Sequence, residues 1–147
     1  MLIFILNILW FVFGGFLAGL GWIVAGVIMA ITIIGIPWAR ACFVLARYSF
    51  WPFGYDLISR DELHGREDIG TGTLGTIGNI IWFVLAGWWL AIMHITVAAG
   101  LAITIIGIPF AWAHVKLALA SLFPIGKTVV AIDELRLMPG TGNIRRV

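Results

Sequence analysis

ITIIGIP stands at Ile31–Pro37 and returns at Ile103–Pro109. The two copies lie 103 − 31 = 72 residues apart. Laid over itself at that offset without gaps, the stretch 7–63 meets 79–135 with 25 identities in 57 pairs. Composition alone gives about one match in ten. The matches include polar and turn residues: Asn7 with Asn79, Trp10 with Trp82, Pro52 with Pro124, Gly54 with Gly126, and Asp61-Glu62-Leu63 with Asp133-Glu134-Leu135. The chain is therefore an internal duplication. It divides into a first repeat (1–66), a Gly/Thr-rich linker (67–78), a second repeat (79–137) and a tail (138–147) expected to be flexible.

Composition sets the environment of both halves. The chain is 62% hydrophobic and 11% charged, with a mean hydropathy of +1.09, whereas soluble domains carry about 25% charged residues. No Asp, Glu, Lys or Arg occurs in 1–39 or in 69–115. Both runs exceed the roughly 18 apolar residues that mark a transmembrane helix, so an integral membrane protein is expected. The N-terminus lacks the basic n-region and cleavage site of a removable signal peptide. One cysteine, Cys42, excludes an intrachain disulfide. The pI near 9.1 comes from basic residues that flank apolar segments, which points to lipid headgroups and away from nucleic acid.

The number of crossings follows from length and charge. The uncharged part of the first half runs about 57 Å as helix, nearly twice the ~30 Å of bilayer hydrocarbon. Gly19-Leu20-Gly21 and Met93-His94 lie near the middles of the two runs and are expected as turns. Two crossings per half place all nine Lys and Arg on one side, as the positive-inside rule asks. The expected fold class is an all-α integral membrane protein of two duplicated transmembrane hairpins, about four spans, with interfacial amphipathic helices and short cytoplasmic β-strands. Both termini are expected in the cytoplasm, with only the tips near Gly21 and His94 outside.

On this reading ITIIGIP ends the second span of each hairpin. Proline removes a backbone donor and disfavours helical geometry in the residue before it, while Thr32 and Thr104 can bond back to carbonyls one turn earlier. Beyond each break, Pro37–Trp51 and Pro109–Phe123 are too short and too charged to span. Positions 40, 44 and 47 share a helical face. Arg40 and Arg47 occupy it in the first half and Lys116, matching Val44, in the second, which assigns all three to lipid headgroups. Pro52-Phe53-Gly54 and Pro124-Ile125-Gly126 read as turns. Tyr55–Leu63 and Lys127–Leu135 then read as short strands paired about a pseudo-twofold axis, with a flexible connector at Asp61–Gly78 between the halves.

Few motifs carry chemistry. Gly70–Gly75 fits G-x-G-x-x-G, but no βαβ unit surrounds it, and it reads as a linker entering a membrane helix. Gly15 and Gly19 form G-x-x-x-G, which permits close helix contact within the hairpin or between subunits. His64, His94 and His114 have no ligand spacing, and His94 at a hairpin tip is expected to be wet. The paired carboxylates Asp61-Glu62 and Asp133-Glu134 read as solvated strand ends. With no nucleophile–base set, phosphate loop or metal motif, no catalytic residue, cofactor or metal is expected, and the protein is not read as an enzyme.

The pattern N-I-x-W-F-V, I-x-I-I-G-I-P, P-x-G and D-E-L, written twice, resembles the YccF family of bacterial inner-membrane proteins. Gly87-Trp88-Trp89-Leu90 with Met93-His94 adds to the likeness. The resemblance covers nearly the whole chain and implies a small duplicated inner-membrane protein; it transfers no functional residue. Two functions then compete. The first is a homo-oligomer surrounding a path for small ions or solutes, lined by Asn7, Thr32, Asn79 and Thr104. The second is a non-conducting scaffold or adaptor whose cytoplasmic strands recruit a partner.

Overall fold

The computed structural model describes residues 1–138. Each half opens with a 30-residue apolar helix: α1 (Leu2–Ile31) and later α4 (Thr73–Ala102). Between and after them come α2 (Ile36–Phe50), β1 (Tyr55–Ser59), α3 (Arg60–His64), α5 (Ile108–Leu122), β2 (Lys127–Ala131) and α6 (Ile132–Leu137). The charged tail residues Arg145 and Arg146 lie outside the described residues.

The hairpins exist, but their turns lie elsewhere than the sequence suggests. Gly19-Leu20-Gly21 and Met93-His94 sit inside continuous helix, so neither run folds back at its middle. Two helices among the described residues, and not four, are long and apolar enough to cross a bilayer. The glycines of α1 serve packing. A Cβ on Gly19 would stand 2.5 Å from the Phe50 ring, and one on Gly15 would stand 2.9 Å from the Ser49 carbonyl. The G-x-x-x-G contact therefore lies within the hairpin. Each long helix does loosen once, in a π turn at Phe11–Gly15 and at Phe83–Gly87, the first carrying a kink at Gly14.

The turn is ITIIGIP itself. Thr32 Oγ1 donates to the Met29 carbonyl (2.7 Å) and accepts from the Gly35 N–H (3.1 Å). Thr104 repeats both bonds with Leu101 and Gly107 at 3.1 and 3.0 Å. The threonine thus closes one helix and starts the next, and proline at the first turn of α2 and α5 costs no donor that the helix would use. Glycine is required here for space: a Cβ on Gly35 or Gly107 would strike the carbonyl of Met29 or Leu101. The isoleucines around it face outward, Ile34 at 82% and Ile105 at 87% exposure.

The two hairpins dock head to tail. Trp38, beside the first tip, donates its Nε1 to the Gly78 carbonyl at the base of the second hairpin (3.2 Å). Phe110, at the matching place beside the second tip, stacks on Trp10 (6.3 Å, 16°) and meets Phe53 edge-on (5.7 Å) at the base of the first. Helices α2 and α5 contact each other, and Leu45 and Leu117, equivalent under the offset, are fully buried. Burial of each leucine is worth about 2 kcal/mol. The strands pair antiparallel with Leu57 opposite Val129. Since 57 + 72 = 129, the pseudo-twofold axis passes through that pair, as the sequence leads one to expect.

The connector is structured. Arg60 Nε and Nη2 hold the Asp68 carboxylate at 2.6 and 2.9 Å, and Asp68 Oδ1 accepts the Gly70 and Thr71 N–H groups. The Gly70–Gly75 stretch is thus an Asx-type turn leading into α4, which begins at Thr73 inside the expected linker. Replacing Gly35 or Gly107 by alanine should open the tip and cost about 1–3 kcal/mol. Thermal unfolding in detergent, followed by tryptophan fluorescence, should show a clearly larger loss than Gly21→Ala, where a Cβ meets nothing within 4 Å.

Candidate functional site

The sequence singles out Asn7, Asn79, Thr32 and Thr104 as the polar side chains of the long helices. In the structure each asparagine closes a two-way bond with the turn that follows the return helix. Asn7 Nδ2 donates to the Phe53 carbonyl (2.9 Å) and Oδ1 accepts the Phe53 N–H (3.0 Å). Asn79 makes the same pair with Ile125 at 3.0 and 2.9 Å. The P-x-G turns expose a backbone donor and acceptor at a place packed by apolar helix, and the amide satisfies both. One turn further on, Trp10 Nε1 donates to the Ser49 carbonyl (2.6 Å) and Trp82 Nε1 to that of Ser121 (2.9 Å). Both carbonyls belong to the last turns of α2 and α5, where carbonyls have no partner inside their own helices. Asn7 has no exposed surface, whereas Asn79 is half-buried.

Of the three cations assigned to headgroups, Arg40 and Arg47 are exposed. Lys116 turns inward instead. Its Nζ lies 2.8 Å from Asp56 Oδ1, with side-chain exposures of 13% and 3%. Asp56 is carried by β1, so this ion pair ties the first half's strand to the second half's return helix across 60 residues. At the equivalent places stand Val44 and Thr128. The replacement of an apolar–neutral pair by opposite charges was the available signal, visible only once the offset is applied.

His94 is also inside rather than wet. It is 3% exposed, with Nδ1 3.0 Å from His114 Nδ1, and its Nε2 has no partner among the described residues. His114 in turn packs against Trp10 (4.9 Å). The misplacement follows from the missing turn: with α4 continuous, position 94 faces α5. Asp61, Glu62, Asp133 and Glu134 occupy the first turns of α3 and α6, where carboxylates suit the helix dipole. The bidentate Arg60 guanidinium beside Asp68, followed by the Gly70 and Thr71 amides, holds that carboxyl well below the usual range. Burial lowers the Lys127 ammonium, against the pull of Glu62 and Asp61. No group of three or more His, Cys, Asp or Glu able to hold a metal occurs among the described residues.

Leucine in place of Asn7 or Asn79 keeps the branched shape but orphans two backbone groups. Each orphan costs about 1–3 kcal/mol. Asn7→Leu and Asn79→Leu should therefore each lower the unfolding midpoint. Negligible shifts would show that the turns do not depend on the amides.

The geometry repeats at the offset read from the sequence, and comparison with known proteins repeats it again. The inner membrane component domain YccF matches twice, over residues 5–55 and 77–127. Both limits differ by 72 (77 − 5 and 127 − 55). The inner membrane protein YccF of Escherichia coli (strain K12) is 39% identical over 130 residues, covering 88% of each chain. The protein of the same name from Shigella flexneri matches to the same extent. No solved structure matches. Two domain matches and relatives of this length place the chain in the YccF family of inner membrane components.

Proposed function

We propose that the protein is a non-conducting membrane scaffold whose two opposed hairpins lie along the cytoplasmic leaflet without crossing the bilayer. The supporting observation is the head-to-tail docking of the hairpins. With hairpins opposed, two placements are open. If the pseudo-twofold axis lies in the membrane plane, the connector and the N-terminus fall on opposite sides. If the axis runs along the membrane normal, both lie on one side, with α2 and α5 lying along the interface.

Arg40 and Arg47 favour the second placement. Seven residues separate them along α2, about 10 Å of rise, and both are exposed. A helix standing along the normal would push one arginine toward hydrocarbon, at about 2.5–3.5 kcal/mol if it reached the centre. A helix lying at the interface keeps both at headgroup depth and leaves the exposed isoleucines of the tips in lipid. Beneath the cytoplasmic face the two-stranded ribbon, α3, α6 and the connector form the charged surface. The multi-pass topology and outward tips expected from the sequence give way, on this reading, to hairpins lying along the cytoplasmic leaflet with both termini cytoplasmic.

Polar-group accounting argues against the conducting reading. The four side chains that would line a path already spend their hydrogen bonds on backbone within their own hairpin. A pore between subunits would have to take its polar lining from elsewhere. In a Cys42→Ala background, single cysteines at 3, 21 and 66 should all resist a membrane-impermeant maleimide added from the periplasm. Purified protein in liposomes should pass neither cations nor anions at either sign of voltage. Periplasmic labelling at 66, or steady flux, would overturn the scaffold reading.

A further inference from the structure

A cleft of about 490 Å³ lies between the tip of the first hairpin and the base of the second. Its volume falls in the range of ligand pockets, roughly 300–1,000 Å³. Ile36, Val44, Leu74, Ile77 and Ile81 make most of it apolar, and Arg40, Arg60 and Lys127 also line it. Arg60 is already committed to Asp68. Among the described residues the side chains of Arg40 and Lys127 make no hydrogen bond or ion pair, although Lys127 is half-buried. Two cations with no bonded partner thus border an apolar cleft, a lining that matches an anion with an apolar tail.

The duplication supplies an internal comparison. Subtracting or adding 72, the place of Arg40 is taken in the other half by Trp112, that of Lys127 by Tyr55 and that of Arg60 by Ile132. Gly78 corresponds to Leu6, and Ile125 to Phe53. That second place is filled by the Phe53, Phe110 and Trp10 rings, which pack at 5.7 and 6.3 Å. Gly78 lets the Ile125 side chain seat against α4 as a wall of the cleft, because a Cβ there would stand 2.7 Å from Ile125 Cδ1. Of the two equivalent places between the halves, one thus has a glycine, a cavity and three cations where the other has packed rings. General affinity for an anionic surface would require neither the cavity nor the glycine.

We propose that this cleft binds one anionic phospholipid, with an acyl chain along Ile36, Leu74 and Ile77 and the phosphate between Arg40 and Lys127. The site deepens the scaffold reading, since it rests on Arg40 lying at headgroup depth. Exposed Ile34, Ile69 and Leu74 at its border give a lipid chain a continuous apolar route from the bilayer. The phosphate supplies a directly bonded counter-charge, which neither Arg40 nor Lys127 has among the described residues; Glu62 and Asp61 act on Lys127 without an ion-pair contact.

Native mass spectrometry of the full chain in mild non-ionic detergent tests this directly, and independently of membrane orientation, which the labelling experiment reads separately. The probes are dioleoyl phosphatidylglycerol, dioleoyl phosphatidylcholine and glycerol phosphate. One phosphatidylglycerol per chain should be retained about tenfold more tightly than phosphatidylcholine, and glycerol phosphate should not compete at the same concentration. The Arg40→Gln/Lys127→Gln variant should lose roughly tenfold or more in phosphatidylglycerol affinity, while Arg136→Gln, remote from the cleft, should not. Gly78→Leu, which must displace Ile125 from the cleft wall, should weaken retention of the lipid, while the charge variant reports on a chain with unaltered packing. Equal retention of the two phospholipids, unchanged binding in the double variant, or equally tight glycerol phosphate would overturn the proposal.

Discussion

Trp10 is held from two directions, and the architecture depends on both. Its indole N–H closes the end of α2 by bonding the Ser49 carbonyl, which fixes the long helix to its own return helix. Its ring meanwhile lies against Phe110 and His114 of the other half. Trp82 repeats the first contact at Ser121 and meets Trp22 across the halves at 6.5 Å. A buried indole needs a partner for its one donor, and spending that donor within the hairpin leaves the large apolar ring free to pack between hairpins. Local closure and global docking are thus made by one residue type at one repeated position. Opposed docking follows for Trp10, whose ring at the base of the first hairpin lies against Phe110 beside the tip of the second.

Much of this was legible from the repeat. The offset of 72, found from ITIIGIP, located equivalent asparagines, tryptophans, turns and strands, and the antiparallel ribbon pairs through Leu57 and Val129 as a twofold relation demands. Thr32 and Thr104 bond back as their position beside a proline break suggests. The hairpin turn was not legible, because length and glycine content have two physical solutions. Gly19 can mark a turn or admit a neighbouring ring, and only the presence of Phe50 on a returning helix decides between them. His94 and Lys116 were misplaced for the same reason: their partners, His114 and Asp56, are set by tertiary docking and leave no trace in local periodicity.

The departures from repetition are where the two halves take on different tasks. Val44 and Thr128 in one copy of a position pair become Lys116 and Asp56 in the other, so that a single buried ion pair is made where exact repetition would make two apolar contacts. Removing one member of such a pair strands the other without a counter-charge, so it fixes the register of strand against helix as well as adding attraction. Trp22 and Cys42 likewise become His94 and His114, the joined pair inside the second hairpin. The cleft beside Gly78 is a third departure. A symmetric ancestor needs only the asparagine clamps, tryptophan bonds and threonine-closed tips, and the present chain builds one-sided features on that frame.

The opposed docking of the hairpins is the claim from which membrane placement and lipid cleft both follow, and intramolecular crosslinking in native membranes reads it most directly. In a Cys42→Ala chain, cysteines at Ile34 and Leu74 bring together the first tip and the start of α4, which border the same cleft. Cysteines at Ile34 and Ile106 mark the two tips. A short bis-maleimide should join the first pair efficiently and the second pair not at all. Crosslinking between the tips, with none between positions 34 and 74, would mean that the hairpins point the same way.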